Sequence, residues 1–222
     1  LRFYGWKPAA ISIGYFQSLS EEVDLAACEQ LGVDVVRRMT GGGAVFHEEE
    51  ITYSIHIPEK SGLVPGGILE SYGKICGGIL RGLKFIGLEA KFVPLNDIVV
   101  DFQGSLRKIS GNAQTRKKGI ILQHGTILLK VDVEKMFSLL KVPSEKMKGK
   151  LIEDVKQRVT SLSHAHGGEV SFEQALDVLK RGFAEEFAGI LFKAGQLSQE
   201  EIGSAGQLEK EKYGAQAWIA KR

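Results

Sequence analysis

Residues 10–16 read Ala-Ile-Ser-Ile-Gly-Tyr-Phe and residues 51–57 read Ile-Thr-Tyr-Ser-Ile-His-Ile, with apolar and polar positions alternating. A period of two places one face of a strand against a core. The same reading predicts strands over 1–6, 33–38, 91–93, 98–102, 106–114 and 120–131, with turns at Gln103-Gly104 and Lys117-Lys118-Gly119. Elsewhere the period lengthens. Ile68, Leu69, Tyr72, Ile75, Cys76, Ile79, Leu80 and Leu83 share one helical stripe, which predicts a helix over 66–86 despite several glycines. A helix over 18–31 takes Ser18 or Ser20 as its cap, carries acids in its first turn and stops at Gly32. Further helices are expected over 132–140, 144–157, 171–187 and 198–213. Strands and helices are mixed rather than strictly alternating, so the expected class is α+β, a mixed or antiparallel β-sheet flanked by helices.

Composition narrows the picture only a little. With 222 residues, 43% of them hydrophobic and 25% charged, the chain suits a soluble globular protein of one large domain, or one domain plus a small appendage. A net charge of +2 gives no reason to invoke nucleic acid or membrane, and no apolar run approaches the roughly 20 residues of a membrane-spanning helix. Cys28 and Cys76 lie far apart with no C-x-x-C spacing, which argues against a zinc ribbon or a disulfide framework and makes the cytoplasm the expected compartment. The first residue is Leu1 rather than Met, and no signal peptide is visible, so an upstream segment is either trimmed or not included.

Candidate chemistry concentrates in residues 37–47, Arg-Arg-Met-Thr-Gly-Gly-Gly-Ala-Val-Phe-His, directly after the apolar run of the 33–38 strand. Consecutive glycines let backbone approach a ligand closely. Successive N–H groups in such a turn can converge on an anion or carbonyl oxygen, and the arginines add charge beside it. The loop is not a Walker A motif, since no Lys-Ser/Thr follows at the required spacing, and no G-x-G-x-x-G occurs anywhere. A second cluster comprises Asn96-Asp97, then Lys108-Ile-Ser-Gly-Asn-Ala-Gln114, then His124-Gly-Thr126. A lone strand lysine is most often a solvated edge residue; its Ser-Gly neighbours change that reading.

Together these motifs resemble the lipoate–protein ligase A family of the biotin/lipoate ligase superfamily. The glycine loop matches R-R-x-[ST]-G-G-G-A-V-x-H. Asn96-Asp97, Lys108–Gln114 and His124–Leu129 match its N-D, K-[IV]-S-G-x-A and H-G-T-[IL]-L motifs, and Leu1–Gln17, Leu197-Ser-Gln-Glu-Glu, Lys212-Tyr213 and Trp218 add to the likeness. The resemblance implies one biotin/lipoate ligase-type catalytic domain over 1–222, with a helical tail from about 198 and the family's small accessory domain absent. It also implies an activity, a lipoate–protein ligase. Lipoate, or octanoate, would attack the α-phosphate of ATP in the presence of Mg²⁺, and an acceptor lysine would attack the resulting acyl-AMP. The acceptors would be lipoyl domains of 2-oxoacid dehydrogenases or the glycine-cleavage carrier protein, with a separate small accessory-domain protein as a further partner.

By the same resemblance Lys108 is the electrostatic catalyst. Arg37, Arg38, Thr40, Gly41, Gly42, Gly43 and Ala44 line the acyl and phosphate path, one arginine alternatively holding the loop. His47 and His124 order their loops. Asn96, Ser110, Gly111, Ala113, Gly125 and Thr126 complete the binding set, and Asp97 meets Mg²⁺.

Two departures keep other activities open. Glu48-Glu-Glu-Ile-Thr-Tyr-Ser54 stands where ligases carry a D-x-G-N-x-N-[YF]-S type segment, and is closer to the related octanoyltransferases. Those relatives move octanoate from acyl carrier protein through a cysteine thioester, with the cysteine just before the K-[IV]-x-G motif and G-G-R in the loop. This chain has no cysteine in Leu95–Gln103 and has Gly43 in place of the arginine, which favours the ligase. The G-R-G-R-x-G-R loop of biotin ligases is absent. A non-catalytic lipoate-binding or acceptor-docking module is the third reading. His164-Ala-His166 is expected to serve a cap or loop, and the Lys146–Lys150 run a solvated helix face or a dock for an acidic acceptor.

Overall fold

A computed structural model describes residues 1–142 and 144–221, apart from the side chains of Glu145 and Lys146. The chain divides into two compact units, each assembled from three separate segments.

The first unit comprises Leu1–Gly5, Glu49–Val133 and Lys150–Leu191. Its centre is a six-stranded sheet built from β1 (Arg2–Tyr4), β5 (Glu50–Pro58), β6 (Ala90–Val93), β7 (Asp97–Phe102), β8 (Ser105–Lys117) and β9 (Ile120–Leu128), ordered β1-β5-β9-β8-β7-β6. Every neighbouring pair is antiparallel. Alternation in β9 is complete: Ile121, Gln123, Gly125 and Ile127 are buried while Leu122, His124, Thr126 and Leu128 are half-exposed. Helices α3 (Ile68–Lys84) and α7 (Phe172–Glu186) share one hydrophobic core with the sheet, contributing Ile75, Cys76, Ile79, Leu83, Leu179 and Phe183 beside Ile51, Tyr53, Ile109 and Ile121. Ser171 and Gln174 form a reciprocal capping box at the start of α7, satisfying two orphan donors.

The second unit comprises Trp6–Glu48, Glu134–Gly149 and Phe192–Arg222. Here β2 (Ala10–Ile13) lies between β3 (Asp34–Arg37), parallel to it, and β4 (Val45–His47), antiparallel to it. A second core gathers Ile11, Ile13, Leu19, Val23, Cys28, Val33, Leu139 and Ile219.

The expected α+β class and antiparallel-to-mixed sheets are present. Several boundaries differ for identifiable reasons. The helix expected over 18–31 is two helices, α1 (Leu19–Glu22) and α2 (Leu25–Gln30). Val23 turns extended to bridge Leu140, and Asp24 donates its N–H to Leu139 O while its side chain caps Ala27 N. Tertiary pairing thus overrides helix propensity at that point. Strand β4 and the short helices α6 (Leu162–His166) and α9 (Gln216–Ile219) have too few residues to show a period. Between them lie α4 (Val133–Leu139), α5 (Glu145–Arg158) and α8 (Gln199–Leu208), the last continuing into a π-helical turn over Glu209–Tyr213. Lys146, part of the proposed docking run, has a side chain outside the described residues. Among the described residues no helix is long and apolar enough to cross a membrane.

Candidate active site

The residues singled out from sequence fall into two groups, one in each unit.

In the first unit the motif residues of β8 and β9 meet through strand register. Gly111 lies opposite Thr126, and Ala113 opposite His124. Directly opposed residues share a face, so these four lie on the sheet face away from the core. Ser110, Asn112, Gln123 and Gly125 take the other face. A bulge at Ile98/Val99 brings Lys108 opposite Val99 and Ser110 opposite Ile98, so Ile109 is an extra residue in β8. Such a bulge re-aims neighbouring side chains. Lys108 Nζ then meets Asp97 Oδ1 at 2.7 Å, and both side chains remain more than a third exposed. A Cβ on Gly111 would come within 3.0 Å of Lys108 Nζ and 3.1 Å of its Cε, so the lysine lies across a position with no side chain.

A buried network holds this pair from behind. Asn112 donates its backbone N–H and its Nδ2 to Asn96 O at 3.0 and 2.8 Å, and Asn96 Nδ2 donates to Asn112 O at 2.6 Å. Tyr53 Oη donates to Asn112 Oδ1 at 2.6 Å, and Gln123 Nε2 donates to Tyr53 Oη at 2.8 Å. Asn96 is therefore a tether that fixes the start of β7, one residue before Asp97. Ser110 and Gly125 face the same buried network; their expected ligand contact is corrected to a place in the core, because the register gives them the wrong parity. Asn112, Tyr53 and Gln123 were not singled out from sequence. Polar groups at core-facing positions of three strands, β5, β8 and β9, were the available signal.

In the second unit Arg37 is 1% exposed. Its Nε donates to Trp218 O and Ile219 O, its Nη1 to Gly14 O, Tyr15 O and Gln17 O, and its Nη2 to Ile219 O, at 2.7–3.2 Å. Trp218 Nε1 returns a bond to Arg37 O at 2.9 Å. A guanidinium so engaged fastens backbone, which corrects its expected role in anion contact. Arg38 braces the glycine loop itself. Its Nη1 donates to Ser12 O at 2.7 Å, and its Nη2 to Gly41 O and Gly43 O at 2.9 and 2.7 Å. Burial lowers its pKa to about 10, so it stays charged at neutral pH. Thr40 is buried, and its carbonyl accepts Tyr15 N–H at 2.8 Å. Gly42 adopts φ +98°, and its carbonyl lies where a Cβ on Gly14 would be. The loop thus packs against the end of β2 only because both residues lack side chains. Ala44 packs on the second core. His47 Nε2 and Ser12 Oγ are 2.7 Å apart, and the ring stacks on Trp6 at 4.2 Å.

Asp97 has for neighbour a lysine ammonium, and no group of three His, Cys, Asp or Glu able to hold a metal occurs among the described residues. His164 and His166 sit in the last turn of α6. Cys28 and Cys76 are both buried.

The chain belongs to the family described as lipoyl protein ligase A/B catalytic domain, which matches residues 1–184. It is 37% identical over 241 residues to octanoyltransferase LipM of Geobacillus kaustophilus, spanning 100% of this chain and 86% of that protein. LipM of Bacillus subtilis is 35% identical with the same coverage. An aligned span of 241 positions against 222 residues leaves at least 19 positions of the Geobacillus relative with no counterpart here. Among solved structures, the chain is similar to the bi-partite lipoate protein ligase of an archaeal lipoylation system from Thermoplasma acidophilum, described with its E2 lipoyl domain. That likeness has 30% identity, a TM-score of 0.89, and coverage of 99% of this chain and 83% of that one. A lipoate-protein ligase A bound with ATP is 28% identical, with a TM-score of 0.81 over 99% of this chain and 84% of that one.

These relatives correct the ATP-dependent ligase expectation. Curated relatives at 33–39% identity over nearly the whole chain are octanoyltransferases. Gly43 in the loop and the absence of a cysteine from Leu95–Gln103 pointed to the ligase, and the whole-chain similarity to octanoyltransferases outweighs those two local differences. Both activities present an acyl carbonyl to a lysine amine, so residues suited to that step do not distinguish them.

Proposed function

We propose that this chain transfers an octanoyl group from the thioester of acyl carrier protein to a lysine amine of a lipoyl domain. Similarity to LipM octanoyltransferases over the whole of this chain and 86% of those proteins supports this reading. The geometry around Lys108 supports it. A thioester is already activated, so the reaction needs neither ATP nor Mg²⁺. It needs stabilisation of the oxygen that gains charge when the amine adds, a contribution worth roughly 3–4 kcal/mol where one such donor is removed. The Lys108 ammonium, half-exposed and held by Asp97, is the group suited to that task. The loop Gly41–Ala44, braced by Arg38, is the proposed acyl contact of the second unit. The acceptor is a lipoyl domain of a 2-oxoacid dehydrogenase or the glycine-cleavage carrier protein, and the compartment is the cytoplasm. The Thermoplasma neighbour, described with an E2 lipoyl domain, supports that acceptor class.

Octanoyl-acyl carrier protein and an unmodified lipoyl domain are mixed with the protein, and the domain is weighed by mass spectrometry. The expected product is one octanoyl amide per domain, with Lys108→Ala slowing its formation about 100-fold or more. A domain modified only when free acid and ATP replace the thioester would overturn the reading.

A further inference from the structure

The octanoyl donor delivers its acyl group as a thioester, and a transferase can either park that group on a side chain or pass it straight on. Parking it needs a thiolate in reach of a carrier protein's thioester. The chain has two cysteines. Cys76 lies in the middle of α3, fully buried among core residues, with Gln123 Nε2 3.6 Å from its sulfur. Cys28 lies in α2, 2% exposed, inside the second core beside Val23, Val33 and Ile219. Burial pushes the Cys76 thiol up to about 12, and burial and then Asp24 also raise Cys28. Neither is an accessible nucleophile. The segment Leu95–Gln103, which leads into the Lys108 motif, presents Asp97 to the lysine and contains no cysteine.

We infer that the acyl group passes directly from the donor thioester to the acceptor lysine, in a complex that holds acyl carrier protein and lipoyl domain on this chain at once. This inference rests on the proposed octanoyl transfer. The neutral lysine nitrogen forms a C–N bond to the acyl carbon as the C–S bond breaks. The nitrogen's surplus proton passes to the departing sulfur, which leaves as a free thiol. Nothing is oxidised or reduced, and no third reactant enters. Lys108 meets the carbonyl oxygen and Asp97 keeps that lysine in place. The acceptor amine replaces an enzyme nucleophile.

Three measurements on the intact protein test this. Enzyme incubated with octanoyl-acyl carrier protein alone is weighed intact; no acylated enzyme is expected. Initial rates at varied concentrations of both carrier proteins should give intersecting double-reciprocal lines rather than parallel ones. The Cys28→Ala and Cys76→Ala variants, checked for folding by circular dichroism, should keep turnover within about twofold of wild type. An acyl-enzyme on any side chain, or parallel lines, overturns direct transfer while leaving octanoyl transfer intact. Iodoacetamide, applied to the native protein, covers the case of a cysteine variant that does not fold. Unchanged turnover supports the inference and rapid inactivation sinks it. If octanoyl-acyl carrier protein donates nothing under any condition, the proposed function falls and this inference falls with it.

Discussion

Lys108 lies across Gly111 with its ammonium on Asp97, and both contacts depend on one missing side chain. Replacing Gly111 by Ala pushes a flexible lysine aside rather than backbone. The expected result is a loss of about tenfold in kcat, since small misplacements of a catalytic group cost rate steeply. The melting temperature should barely move. Steady-state kinetics beside a thermal melt separate the two effects, and equal loss of both would remove the positioning role. The Lys108 motif is local, with Ser110 and Gly111 close behind it, so the sequence alone singles Lys108 out as a candidate. Ser110 itself was misread, because the bulge at Ile109 changes which residues share its face. A bulge leaves no mark in a five-residue string. Arg37 was misread for a different reason: its partners Trp218 and Ile219 lie about 180 positions away along the chain.

At the scale of elements, α3 and α7 cross through glycines. A Cβ on Gly182 would overlap Gly78 O and the backbone of Gly82, and one on Gly82 would come within 2.8 Å of Val178 O. No rotamer change relieves a clash with backbone, so Gly182→Ala should destabilise the fold by about 2–3 kcal/mol, read from urea unfolding. The stripe that predicted α3 recorded its apolar face but not this close approach. Its glycines looked like weak points in a helix. They are the surface through which the two helices meet.

The same helices are joined by Glu186, which accepts from Lys74 Nζ and Arg81 Nε at 2.7 and 2.6 Å. Burial raises the Glu186 pKa, but the hydrogen bonds from Lys74 and Arg81 outweigh it, and the net shift is downward. The unfolded chain therefore takes up this proton first as pH falls. The stabilisation is complete above the ordinary carboxylate range and is lost as pH drops through the lowered value. Glu186→Gln should lower stability at pH 7 and flatten its decline below about pH 4.5, the two proteins converging in acid. Chemical denaturation across pH 3–7 checks this, and parallel curves would exclude the linkage.

The whole molecule has two hydrophobic cores, and the chain leaves and re-enters each unit more than once. The periodicities made the long strands and helices of both units readable; the division between units was not. Two of its five crossings fall at Gly5/Trp6 and Glu48/Glu49, where no composition shift, proline run or linker signals a boundary. Contacts distant in sequence decide it. One such contact is Arg37, whose guanidinium joins β3, the 14–17 turn and the helix Gln216–Ile219. Arg37→Met should cost about 3 kcal/mol or more, because several buried carbonyls lose a charged donor together. Unfolding by urea followed at the tryptophans reports it, and a cost below about 1 kcal/mol would show that the carbonyls find other partners.

That fastening also sets an order of events during synthesis. Residues 37–47 are made early, yet the carbonyls of Trp218 and Ile219 that grip Arg37 emerge 181 and 182 residues after it. A nascent chain halted before residue 218 carries the glycine loop without its clasp, so the second unit can finish folding only after residues 218 and 219 have emerged.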